Sequence, residues 1–228
     1  MAHIRWYKLI AIGVAVASIL IIFAALRTTW YHEVHGTSIP SQDIDYRNEI
    51  QYSLDGQFFV DGDERDFWSF EEGQNFWEPR EPMHSFTERI QILLTVGAIL
   101  SGLWALLMFF EKKLLSVVAG VSSAALFGIS AVIFYGLFGS AYAASDLPGT
   151  YMDFPGFFVT TRDEFHGVVD TDIWEPMLGW WLAIAACAVM VVGMTVLAVL
   201  RRRESRTVRG TRPSQSPSGQ PSDPSRQP

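Results

Sequence analysis

The chain has 228 residues, of which 49% are hydrophobic, a net charge of −7 and a single cysteine, Cys187. One cysteine excludes any disulfide within the chain, and the acidic balance argues against nucleic acid as a partner. So apolar a chain with only 18% charged residues points to a bilayer as part of its solvent.

Residues 1–8 are read as a cytoplasmic N-terminus, with Arg5 and Lys8 preceding an uncharged stretch, 9–26. Its 18 residues exceed a usual signal-peptide core, and Ala24-Ala25-Leu26-Arg27 is a weak cleavage site, so the stretch is expected to be retained as a first span. Three more stretches, 90–110, 114–138 and 177–200, also lack any Asp, Glu, Lys, Arg or His. At about 1.5 Å per helical residue each crosses a hydrocarbon core of roughly 30 Å. Lipid offers no partner to an open strand's amides, so all four spans are expected to be helices.

Just past the first span lies His32-Glu33-Val34-His35. The two histidines are one residue too close for the His-Glu-x-x-His zinc signature. At i and i+3, His32 and His35 could still share a face and hold a transition metal, with His84 or His166 completing the site. Unliganded surface histidines are the competing reading.

The loop 27–89 carries a strand pattern. From 44 to 54 the even positions are Ile44, Tyr46, Asn48, Ile50, Tyr52 and Leu54, which is apolar alternation broken once. Asp55-Gly56 and Asp61-Gly62 flank Gln57-Phe58-Phe59-Val60, and Asp-Gly pairs suit tight hairpin turns. The expectation is a three-strand meander whose last strand reaches Phe67-Trp68-Ser69-Phe70. Within it, Asp61, Asp63 and Asp66 gather carboxylates of the kind calcium requires, although the segment does not continue as an EF-hand loop. A solvated acidic turn is the plainer alternative.

The second span, 90–110, has Gly97, Ser101 and Ala105 at four-residue spacing, and a cytoplasmic turn of only 111–113 joins it to the third. The third, 114–138, repeats the spacing with Ser116, Gly120, Ala124 and Gly128. In lipid such stripes let helix backbones approach closely, so the two spans are expected to form a hairpin in contact along them. A docking face for another subunit remains open. Trp30, Tyr31, Tyr142, Trp174, Trp180 and Trp181 near span ends are read as interfacial anchors. In the second loop, 139–176, a strand around 157–161 is expected to join the sheet edge after Pro155-Gly156. After the fourth span comes a tail, 201–228, which opens basic with Arg201, Arg202 and Arg203. Its second part, rich in Ser, Pro and Gln, is too poor in apolar residues to fold alone.

Charge sorting sets the threading. The loops 27–89 and 139–176 together hold 21 acidic residues against six basic, while the N-terminus, the 111–113 turn and the start of the tail are basic. Both termini are therefore expected inside and both loops outside. Without N-glycosylation acceptors or paired cysteines, those loops fit a prokaryotic cytoplasmic membrane. The fold class is then an all-α membrane protein with a small β extension, a four-helix bundle carrying a short antiparallel extracellular sheet.

In layout the chain resembles the claudin-type tetraspans over about 6–203: inner termini, a large strand-rich first outer loop, a short inner turn and a smaller second loop. Of that family's Trp, Gly-Leu-Trp and two-cysteine pattern, only Trp30 has a counterpart in place. Gly102-Leu103-Trp104 lies inside the second span, and the cysteines are absent. The resemblance implies an outer sheet suited to lateral or cell-to-cell contacts.

Uncharged spans argue against proton-coupled transport, and no nucleophile elbow, phosphate loop or dinucleotide fingerprint occurs. The expected function is a non-enzymatic scaffold or accessory subunit, with lipids and other membrane proteins or further copies of itself as partners and no resident cofactor. An outer-face metal-dependent sensor or enzyme using His32, His35 or the Asp61–Asp66 turn is the alternative, and a transporter or oligomeric channel subunit is third.

Overall fold

A computed structural model describes the backbone of residues 6–42, 44–54, 57–60, 63–66, 81–145 and 154–210, and the side chains of 6–41, 51–54, 82–144 and 154–202. The protein is mostly helical. Its helices are α1 (Trp6–Arg27), α2 (Glu81–Phe109), α3 (Lys113–Ser145) and α4 (Leu178–Gly210). All four are long and apolar enough to cross a membrane. Between them lie strands β1 (Thr29–Ile39), β2 (Ile44–Ser53), β3 (Gln57–Val60), β4 (Asp63–Asp66), β5 (Val159–Phe165) and β6 (Val168–Pro176).

The helices close a ring in which α1 touches α2 and α4, and α3 touches α2 and α4. Polar residues inside it are satisfied locally, as hydrocarbon requires. Ser18 and Ser130 donate to the carbonyl one turn back in their own helices, as does Thr195 on the outer face of α4, and Ser123 donates across to the Gly97 carbonyl at 2.8 Å. The small-residue stripes lie within the bundle and each receives bulky neighbours. Gly97 faces the Phe127 ring, Gly120 faces Trp104 and Met194, and Gly128 lies beside the Cys187 sulfur. Ser101, Ser116 and Ala124 are buried. The α3 stripe thus packs toward α4 as well as α2.

At the α2–α3 turn the Lys112 amide donates to the Leu107 carbonyl and the Glu111 amide to that of Met108. This is a Schellman cap, with Glu111 in the left-handed position at φ 60° where glycine is usual. What Glu111 gives in return is a tie to α1: Lys8 lies 3.2 Å from its carboxylate and the Tyr7 hydroxyl 3.3 Å.

At the other end stands a single antiparallel sheet of six strands in the order β4-β3-β2-β1-β6-β5. Two adjacent inner strands, β1 and β6, continue helices directly. Only Thr28 separates α1 from β1, and only Met177 separates β6 from α4. Because α1 and α4 are neighbours, β1 and β6 pair from Tyr31–Pro176 out to Ser38–Val169, and the Met177 amide donates to the Trp30 carbonyl at 2.9 Å. The sheet is therefore mounted on the bundle by continuous backbone.

Several sequence expectations are corrected here. The meander is present as β2, β3 and β4, but its last strand is Asp63–Asp66, and 67–70 lie outside the described residues. The second-loop strand runs over Val159–Phe165 and reaches the sheet through β6, on the edge opposite β4. β1 and β6 were not expected as strands. Residues 30–34 of β1 are all buried, so no period-two alternation marks them in the sequence.

Nor are the aromatic residues at this end mostly interfacial anchors. Trp30, Tyr31, Tyr142, Trp174 and Trp180 are buried, and only Trp181 is exposed, at 50%. With Tyr52, Phe86, Phe134, Phe138, Phe154 and Phe157 they form a continuous core between sheet and helices. Ring centroids such as Tyr31–Phe138 at 4.4 Å and Trp30–Phe134 at 4.9 Å fall in the favourable aromatic range.

Candidate functional site: a buried carboxylate beneath the sheet

Strand alternation puts Tyr31, Glu33, His35 and Thr37 on one face of β1, and register sets Glu33 beside Ile50 of β2 and Trp174 of β6. Glu33 is only 1% exposed. A lone carboxylate there would cost several kcal/mol in lost hydration, so its partners decide whether the fold tolerates it. Tyr52 from β2 donates its hydroxyl to Oε2 at 3.0 Å, and Tyr142 from the end of α3 does so at 3.3 Å. The remaining oxygen, Oε1, is in contact with His35 Nε2.

His35 has a second carboxylate on its other side. Its Nδ1 lies 2.6 Å from Asp172 Oδ1, across the β1–β6 ladder, and Thr161 of β5 donates to Asp172 Oδ2 at 3.2 Å. One polar chain therefore passes from α3 and β2 through β1 and β6 to β5. It runs from a fully buried anchor to side chains 29% exposed at His35 and 19% at Asp172.

Electrostatics follow from this geometry. The hydrogen bond to Glu33, first, and that to Asp172 raise His35 to about 9 against a partial opposing effect of burial. Burial, reinforced by the nearby Glu33 charge, pushes the Tyr31 and Tyr52 phenols well above their usual range. Both stay neutral donors; Tyr31 gives its proton to the Gly156 carbonyl at 3.0 Å. Beside the chain, the buried Trp174 indole N–H has no hydrogen-bond acceptor among the described residues, and the rings of Tyr142 and Phe154 stand near perpendicular to the indole. Chemically the site holds a proton between two carboxylates and orients two phenols; its phenols are too weakly acidic to serve as nucleophiles near neutral pH.

The expected metal ligands are placed differently. His32 and His35 share no face, because the segment is a strand and three residues put them on opposite sides. His32 instead approaches Met177 Sδ at 3.1 Å and Glu175 at 3.6 Å. His84 is exposed on α2 and His166 sits in the β5–β6 turn at φ 53°. Asp61 lies outside the described residues, while Asp63 and Asp66 are on β4 with side chains that are not described. Among the described residues no three His, Cys, Asp or Glu side chains converge as metal ligands would.

Sequence reasoning singled out His35 but for another purpose, and it passed over Glu33, Tyr52, Tyr142 and Asp172 as a group. The available signal was one carboxylate inside the run Trp30-Tyr31-His32-Glu33-Val34. No protein-family model matches the chain, and no curated protein matches it significantly.

Proposed function

We propose that the protein is a multi-pass scaffold or accessory subunit of a cytoplasmic membrane, with both termini inside and the six-stranded sheet held outside as a contact surface. The observation that carries this reading is the β5 edge. Residues 160–165 are all exposed, and β5 ends the strand order with β6 on one side only. An edge strand offers a row of amides and carbonyls to an extended segment of another chain. Mounting on α1 and α4 keeps that edge fixed relative to the bilayer, which suits a platform better than a mobile loop would. Phe158 and Phe165, 57% and 74% exposed, add apolar contact at either end of β5.

A photo-crosslinker at Thr161 in intact membranes tests the reading. A discrete adduct with one membrane protein, or with a second copy, is expected, and Thr160→Pro should abolish it by spoiling the edge. If Thr161 yields no adduct above that of a probe at lipid-facing Val132, β5 is no docking edge.

A further inference from the structure

We propose that His35 is a pH-set latch joining the β5–β6 ribbon to the buried Glu33 anchor, closed while both ring nitrogens carry protons and released when one is lost. With both carboxylates ionised, the geometry calls for the doubly protonated ring. Nδ1 lies 2.6 Å from Asp172 Oδ1 while Nε2 is in contact with Glu33 Oε1. A neutral imidazole has one N–H and one lone pair, so one of these carboxylates would face a lone pair and be repelled.

Among the described residues, the groups around the ring leave no substitute for its charge. From β1 comes Glu33; from β6 come Asp172 and the edge-on Trp174 ring, with Asp170 already taken by Thr37 at 2.8 Å. The β2 residue in register is the uncharged Asn48, α3 supplies only the Tyr142 phenol to Glu33, and β5 supplies the Thr161 hydroxyl to Asp172. Among the described residues at this site every other charged group is acidic. Once His35 is neutral, Glu33 keeps two phenol donors but no counter-charge in a buried position. Neutral His35 can no longer donate to both Glu33 and Asp172, and losing one of these contacts breaks the side-chain tie between β1 and β6. The two hydrogen bonds hold the ring's proton to about 9, so the latch is closed at neutral and mildly acidic pH and opens in alkali. None of this depends on whether β5 meets a partner.

Imidazole resonances of the full-length protein, labelled at histidine and kept in detergent micelles, give the direct test. One of the five histidines should titrate near 9, and its signal should vanish in His35→Gln. In Glu33→Gln its midpoint should fall back toward the ordinary value of about 6.5. The melting temperature of the wild type should drop between about pH 7 and pH 10, whereas that of His35→Gln should be flat over the same interval. Absence of any imidazole titrating above about 8 overturns the latch. An equal pH slope in wild type and His35→Gln does so too. If His35→Gln does not fold, its resonance is assigned by replacing the other histidines one at a time, and a midpoint at or below about 7 is equally fatal.

Discussion

Glu33 is tolerated beneath the sheet only because each of its oxygens has a donor, so the donors can be ranked by removing them. Tyr142→Phe deletes one hydroxyl and little volume. Leaving a buried acceptor short of a partner costs about 1–3 kcal/mol, and the variant should melt lower by that equivalent when followed by tryptophan fluorescence. Tyr52→Phe should cost at least as much, since its contact is shorter, 3.0 against 3.3 Å. The double variant should deviate from additivity because both hydroxyls serve one carboxylate. If Tyr142→Phe melts like wild type, Glu33 does not rely on α3. The pH dependence follows from the same side chains. His35 is raised in the folded state to about 9 from 6.5, so its stabilisation is complete below about 6.5 and lost as pH climbs through about 9. In the sequence these residues are dispersed over positions 33, 35, 52, 142 and 172. The β1–β6 register brings Asp172 to His35, the β1–β2 register brings Tyr52 to Glu33, and the end of α3 supplies Tyr142; no local pattern announces that convergence.

At the scale of elements, close approach at glycine explains how the pieces fit. A Cβ on Gly179, in the first turn of α4, would run into the Trp30 ring, and one on Gly120 would meet Met194 and Trp104. Gly179→Val and Gly120→Leu should each cost about 1–3 kcal/mol by overpacking. Gly136→Leu, where nothing lies within 4 Å, should be near neutral and serves as the control; equal melting of all three would show that the glycines do not set helix spacing. The α3 stripe was legible because a four-residue repeat maps onto one helix face. The helix count was legible because uncharged runs of 18 or more residues have few other uses. β2 and β3 were legible from alternation and the Asp-Gly turns. β1 hid because covering both faces of Trp30–Val34 erases alternation, and its histidines invited a helical reading in which i and i+3 meet. Trp30, Tyr31 and Trp174 looked like membrane-interface residues because an aromatic core between sheet and helices has the same composition and the same position along the chain.

For the whole molecule the decisive contrast is between its two surfaces. Around the helices large apolar side chains point outward, among them Leu20 at 62%, Ile99 at 66% and Val132 at 69% exposed, which in water would be an aggregation hazard and in lipid is the natural solvent contact. On the sheet, β5 and its turn carry Arg162, Asp163, Glu164 and His166, all exposed. The proposed threading places this end outside and the Lys8–Glu111 end inside, which cysteine labelling can test. Cys187, the only native cysteine, is first replaced by Ser, a change of small volume beside Gly128. Thr161→Cys on that background should react in intact cells with a membrane-impermeant maleimide. A cysteine at Lys112, in the turn at the other end, should react only after the membrane is opened, and a tag on Pro228 should share that protection. Lys112 sits at the opposite end of the molecule, whereas Thr161 is the outermost hydroxyl of the His35 chain on an exposed edge strand, so Thr161→Cys is first shown to melt like its parent and a change in reactivity then reports sidedness and not unfolding. Labelling of Lys112→Cys but not Thr161→Cys in intact cells would put the sheet in the cytoplasm and remove its proposed role as an external contact surface. The continuity of β1 with α1 and of β6 with α4 would be unaffected, and so would the His35 titration, because both depend on the packing of the chain and not on which side of the bilayer it faces.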